Sequence, residues 1–311
     1  MRLPGVLPAV CALFATAALL SCSSAPKASD TVITVKVQGD QSAESGQSYY
    51  RQGRFALALQ FFSNALTQYT SVDDGAGIVR SYIGVGRCYA ALGQPDEAEV
   101  VFLRARQRAE AEHDRALLFD SRMNLGELYL SRGEAAKARA IFQEETMEPR
   151  QGRTPSQNAQ LWHDLGTAEK GLGNSAGALD DLNRSLGINL GGKHLAEAAS
   201  DYYMIASVYS IDGRYDEALQ AASRALAYDK QVESSPGIAK DLYALGLIAA
   251  KKGDAAAAFD WFQRSYDVFT TLGFKDEMRK ALGGLVAAAD ALGRTSDAET
   301  YRKALADLGS S

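Results

Sequence analysis

Seven glycines, Gly53, Gly93, Gly133, Gly173, Gly213, Gly253 and Gly293, stand 40 residues apart without a slip. A fixed period of this kind marks a chain of stacked repeats, each burying its apolar face only against its neighbours. The register holds on both sides of each glycine. Five residues later comes alanine every time: Ala58, Ala98, Ala138, Ala178, Ala218, Ala258 and Ala298. Nine residues later come Phe62, Phe102, Phe142, Leu182, Ala222, Phe262 and Arg302. Four before stand Tyr49, Tyr89, Tyr129, Glu169, Tyr209, Ala249 and Ala289, and seven before stand Gly46, Gly86, Gly126, Gly166, Ala206, Gly246 and Val286.

These offsets predict two antiparallel helices per repeat. Small residues before and after the turn let the helices approach closely, and the aromatic residues fill the space that remains. The periodic glycine ends the first helix, because it takes positive φ without a Cβ penalty. Acidic residues that follow it, such as Asp96, Glu97, Asp216 and Glu217, suit a helix N-terminus. A solenoid of about 270 residues escapes the usual limit on a single core, since its core grows repeat by repeat.

An aromatic, Leu-Gly, Tyr, Ala, Phe, Ala order is carried by Val85, Gly86, Tyr89, Ala98, Phe102 and Ala105, and by Trp162, Leu165 and Gly166. It resembles the tetratricopeptide repeat (TPR) family. The resemblance covers roughly residues 41–308 and implies an all-α, right-handed α-solenoid of seven TPR helix-turn-helix repeats spanning 41–311. The 40-residue period exceeds the family's 34 and resembles its longer-period subclass. Glu148 to Pro155 interrupts the helical pattern as a loop. Arg302 in place of the expected phenylalanine gives the last repeat a polar outer face.

Upstream of the repeats the composition changes. Met1-Arg2 is followed by an apolar run from Leu3 to Leu20 and then Ser21-Cys22. A basic start, an apolar stretch and a small residue before the cut define a secretory signal. Cysteine directly after that small residue resembles the lipobox of bacterial lipoproteins. That resemblance implies a signal peptide over 1–21, cleavage before Cys22 and lipidation of Cys22. Ser23 resembles the residue that sorts such proteins to the outer membrane, facing the periplasm. Residues 22–40 then read as a lipidated flexible tether. Within it, Thr31 to Gln38 alternates as a strand does, either lying extended on the first repeat or offering an edge to a partner. Of three cysteines, Cys11 leaves with the signal and Cys22 is acylated, so Cys88 has no internal partner and reads as a small buried hydrophobe.

The formal charge is −5. That argues against a nucleic-acid partner, which needs a basic face. No catalytic centre, metal site or cofactor is expected. Gly173-Asn174-Ser175-Ala176-Gly177 fits G-x-S-x-G, but a nucleophile elbow needs a strand before the serine, and here a helix is predicted. His113, His163 and His194 have no metal-ligand spacing.

A surface remains. In the resembled family, positions about thirteen, ten and six before the turn glycine line a concave groove. Carried onto this sequence they give Arg80, Met123, His163, Tyr203, Tyr243, Arg87 and Leu247 as candidate contacts for a protein or peptide ligand. Tyr203 and Tyr243 sit at equal offsets in neighbouring repeats, and Arg80 and Arg87 suit a carboxylate. The family's carboxylate-clamp set is absent, so chaperone tails are not the expected ligand. The resulting expectation is a membrane-anchored scaffold in envelope assembly. An accessory subunit of a transport system, presenting a small ligand or a binding protein, and a regulator of an envelope enzyme are the other readings.

Overall fold

The computed structural model describes residues 30–147 and 153–309, and within them every element is an α-helix. Seven helix pairs follow in order. They are α1 (Asp30–Arg51) with α2 (Phe55–Ser71), α3 (Gly75–Ala91) with α4 (Pro95–Ala111), and α5 (Arg115–Ser131) with α6 (Ala135–Met147). Next come α7 (Pro155–Gly171) with α8 (Ser175–Gly191), and α9 (Leu195–Ile211) with α10 (Tyr215–Gln231). The series closes with α11 (Ser235–Lys252) and α12 (Ala255–Leu272), then α13 (Lys275–Ala291) and α14 (Thr295–Gly309). Each helix packs on its sequence neighbours, and odd-numbered helices also touch the next odd-numbered one, so the chain is an α-solenoid. The signal segment, Cys22, the tether up to residue 29 and residues 148–152 of the expected loop lie outside the described residues.

Each turn glycine has positive φ, between 69° and 90°. The residue after it donates its N–H to the carbonyl four before the glycine: Arg54 to Tyr49, Gln94 to Tyr89, Arg214 to Tyr209. This is the Schellman closure of a helix C-terminus. The same closure recurs halfway between the glycines, where Asp73, His113, Lys193, Glu233 and Gly273 take positive φ. Only one of those five is glycine, which hid this second turn series in the sequence. Capping is likewise concentrated there. Asp74, Asp114, Thr154 and Ser234 accept backbone N–H groups at the starts of first helices, while among second helices Asn174 and Asp254 do so.

The expected core is the observed one. All seven periodic alanines are fully buried. Where the residue nine after the glycine is phenylalanine, its ring sits on the backbone of the residue seven before that glycine: Phe62 on Gly46, Phe102 on Gly86, Phe142 on Gly126, Phe262 on Gly246. Where that residue is Ala206, its counterpart is Ala222, so the two volumes change together. Phe62 and Phe262 are also flanked by a glycine of the following repeat, Gly84 and Gly284. Each such ring therefore joins two repeats. Cys88 is fully buried, and burial pushes its thiol up to about 11, well away from reactivity.

The first helix departs from expectation. Residues 30–40 are helical, so neither the strand over Thr31–Gln38 nor a tether running to residue 40 is present. Strand propensity spans only about 1 kcal/mol between residue types and yields to tertiary contacts. Here Lys36 pairs with Asp74, Gly39 rests against the Tyr69 ring, and the Tyr69 hydroxyl donates to Asp40 Oδ1 at 2.6 Å. These contacts draw the chain onto α2 and α3 as a helix.

Candidate functional site

The first helices turn one face toward the inside of the solenoid. Positions thirteen, ten and six before the glycine fall at helical spacing on that face. In the N-terminal half they converge on a cavity of about 420 Å³. Arg80 and Arg87 enter it from α3, Asp120, Met123 and Glu127 from α5, Gln47 from α1 and Gln160 from α7. The Arg87 guanidinium lies 5.6 Å from the Tyr50 ring centroid. Gln157 donates to Asp120 Oδ1 at 3.3 Å, and Gln160 donates to Glu127. Burial raises the Asp120 and Glu127 carboxyls above their ordinary range, opposed in both cases by a glutamine hydrogen bond and the Arg87 charge. Met123 is the floor of this cavity, with its side chain committed to the core.

A second cavity, of about 590 Å³, opens between α9, α11 and α13. Tyr203 and Tyr243 both line it, as expected from their equal offsets. The Tyr243 ring tilts against Phe262 at 5.5 Å, and burial raises both phenols above their usual value. Lys240 and Lys280 stand at its mouth with exposed side chains, and Lys280 faces Glu277 at 4.0 Å. Deeper in, Asp229 and Asp241 share a hydrogen bond. Burial, the Asp229 charge and that bond push Asp241 up to about 8.

Two candidates take other places. His163 lines a smaller cavity of about 240 Å³, and its Nδ1 meets Asp201 Oδ1 at 2.7 Å. Asp201 is fully buried and also accepts from Ser185 Oγ at 3.0 Å and Asn189 Nδ2 at 2.8 Å. Burial works against the imidazolium, but the Asp201 hydrogen bond and the Asp164 and Asp201 charges outweigh it, so the His163 pKa is raised. His163 thus belongs to a polar network that ties α7 to α8 and α9. Leu247 is 41 % exposed and lines neither large cavity.

Several lining residues escaped the sequence reading. Gln157, Gly237 and Glu277 lie sixteen before their glycines, one helical turn beyond the thirteenth position. Continuing the i−3/i−4 step along the same face would have reached them. Tyr69, Asn189, Asp229 and Phe269 lie sixteen after, in the last turn of second helices, and all line a cavity. That position varies in type from repeat to repeat, which concealed it. Ser175 is preceded by α7 and opens α8, and its Oγ donates to Asp212 Oδ1 at 2.6 Å, an arrangement unlike a nucleophile elbow.

Known proteins agree with this architecture. The apo form of the quorum sensor NprR from B. thuringiensis aligns with a TM-score of 0.70 at 16% identity, over 89% of this chain and 80% of that one. A Rap protein complexed with Competence and Sporulation Factor aligns at 0.64 and 15% identity, over 88% and 75%. The STAND protein PH0952 from Pyrococcus horikoshii, described with a tetratricopeptide repeat sensor, aligns at 0.72 and 13% identity, over 89% of this chain and 43% of that one. At these identities the likeness is one of fold. No curated protein matches the chain. Family models described as tetratricopeptide repeat match residues 41–111, 121–144 and 203–269, more than half of the sequence and in the register of the periodic glycines. The chain belongs to the tetratricopeptide repeat family.

Proposed function

We propose that this protein is a non-enzymatic scaffold that holds an extended peptide, or such a segment of a partner protein, along its concave face. The observation that carries this reading is convergence: periodic positions from successive first helices gather into two cavities on one face. The first offers amide and guanidinium groups, Gln47, Asn124, Gln157, Gln160, Arg80 and Arg87, which suit a peptide's carbonyls and carboxylates. The second offers Tyr203 and Tyr243, whose large rigid rings concentrate binding energy. The Rap protein of like fold, complexed with Competence and Sporulation Factor, is a precedent for such a solenoid engaging a partner.

Replacing both tyrosines, Tyr203→Ala with Tyr243→Ala, is expected to weaken partner capture from solubilised envelopes by about 30-fold or more, at ~2 kcal/mol or more for a central aromatic contact. Circular dichroism should report an unchanged helix content. Capture equal to wild type overturns the groove reading.

The scaffold acts, in this proposal, from a lipid anchor on Cys22 in a bacterial envelope, on the outer membrane facing the periplasm and in the service of envelope assembly. The motif Leu19-Leu20-Ser21-Cys22 is its support. Cys22→Ala is expected to abolish labelling by a palmitate analogue and move the protein from the membrane to the soluble fraction. Continued membrane fractionation of that variant overturns the anchor.

A further inference from the structure

We propose that the second cavity seats an alkylammonium or guanidinium group, the basic side chain of the peptide held in the groove, against the Asp229–Asp241 carboxyl pair and the Tyr203 and Tyr243 rings. This rests on the groove-binding function proposed above and names the chemistry that one part of the groove selects.

The two carboxyls are an unusual element to bury. Asp241 is 2 % exposed and Asp229 is 8 % exposed. Apart from the bond between the two carboxyls, Asp241 Oδ2 receives no hydrogen bond from a donor group among the described residues, although it belongs to a residue that lines the cavity. A buried carboxyl oxygen without a donor is costly, so such an atom marks a place where a donor is wanted. The chain itself supplies no cation there: among the described residues neither aspartate forms an ion pair. Lys240 is exposed and lies only near enough to lower Asp229 electrostatically, while Lys280 faces Glu277. Gly237 leaves the approach open, since a Cβ there would collide with the Asp229 carboxyl.

The walls decide which cation fits. Tyr203, Tyr243 and Phe269 present aromatic surface, which attracts an organic cation over a ring face and holds its aliphatic stem. A divalent metal ion needs several oxygen or nitrogen ligands. No group of three or more His, Cys, Asp or Glu side chains able to hold one occurs among the described residues. A volume of about 590 Å³ is ample for a lysine or arginine side chain together with adjoining backbone.

The site also carries a pH signature. Burial and the bond to Asp229 favour a proton on Asp241, and an entering ammonium would replace that proton as the donor to both carboxyls. The titratable groups facing the pair are Tyr203 from α9, Lys240 and Tyr243 from α11, and Glu277 and Lys280 from α13, while α12 contributes only Phe269. Burial, the Asp229 charge and the bond to Asp229 push Asp241 up to about 8. Affinity for the cation should therefore rise by up to about tenfold per pH unit as the pH approaches that value, one proton leaving per cation bound.

The test uses the full chain, titrated by calorimetry with three probes. They are an acetylated, amidated alanine peptide with one central lysine, the same peptide with norleucine in its place, and free agmatine. Near pH 8 wild type is expected to bind the lysine peptide about tenfold or more tightly than the norleucine peptide. Asp241→Asn should erase that preference, and wild type about two pH units lower should show it reduced; this pH comparison needs no variant and stands if Asp241→Asn folds poorly. Equal binding of lysine and norleucine peptides by wild type overturns the cation site but leaves the groove reading intact. Agmatine binding with neither peptide bound overturns the peptide as the source of the cation, and the groove reading is again judged by the tyrosine-pair capture experiment. No binding of any probe overturns the cation site, with the tyrosine-pair capture experiment judging the groove separately.

Discussion

Phe262→Ala is expected to destabilise the C-terminal repeats by about 3–5 kcal/mol, the usual cost of emptying a buried phenylalanine site. The ring is 2 % exposed and lies between two helix backbones. A Cβ on Gly246 of α11 would come within 2.6 Å of it, and one on Gly284 of α13 within 2.8 Å. Truncation therefore leaves a void bounded by backbone that cannot collapse, because α11 and α13 are each clamped by their own partners, α12 and α14. A solenoid is held by nearest-neighbour interfaces, so the loss should be local. Hydrogen exchange should show α11 to α14 opening while α3 to α6 keep wild-type protection. Urea unfolding should show a separate early transition. The converse change, Gly246→Ala, pushes a methyl into the ring and should cost about 1–3 kcal/mol. A loss below about 1 kcal/mol for Phe262→Ala would mean that the ring does not join these repeats.

The second large effect is on the pH dependence of stability. An unfolded aspartate releases its proton near 3.8, whereas folded Asp241 keeps it to about 8. Between these values the unfolded state binds fewer protons than the folded one, so stability falls as pH rises. Asp164, pushed up to about 7 by burial and by the Glu127 charge, and Asp181, pushed up to about 6 by burial, act in the same direction. His163 joins them. Its raised pKa gives stability that is fully present below the ordinary imidazole value of 6.5 and is lost as pH climbs through the folded value. Asp241 alone should account for a loss on the order of 3–5 kcal/mol between about pH 4 and pH 9. Thermal unfolding across that range should show a declining Tm. In Asp241→Asn the amide still donates to Asp229 but has no proton to lose. That variant should flatten the alkaline limb and exceed wild type in stability above about pH 8. A wild-type Tm that holds level from acid to alkaline pH would show that these carboxyls do not keep their protons in the folded chain.

The groove was legible because helical periodicity is local. Once Gly93 fixed the turn, Arg80, Ile83 and Arg87 had to share a face, and they do. The same arithmetic put Tyr203 and Tyr243 on one wall. It missed the partner of His163, which lines a smaller cavity, because Asp201 comes from the next repeat and meets the imidazole. It also failed for Leu247, six before its glycine like Arg87. Arg87 is long enough to reach into a cavity from that edge of the face, and Leu247 is not.

The sequence by itself determined the repeat, its turn and its packing. Those depend on residues within one period: a glycine free to take positive φ, an alanine where helices touch, and a ring placed over a small residue. The α-helical start of the fold and the carboxyl pair were decided only in the tertiary structure. Val35 and Val37 favour a strand, and the contacts of Lys36, Gly39 and Asp40 with Tyr69 and Asp74 override that preference. Asp229 and Asp241 lie in different repeats, at the same offsets as the hydrogen-bonded Asn189 and Asp201 one repeat earlier, but nothing in the sequence shows that two carboxyls would be buried against each other there. They meet because α10 and α11 pack against each other about the turn at Glu233, which brings the end of one helix and the start of the other to the same cavity.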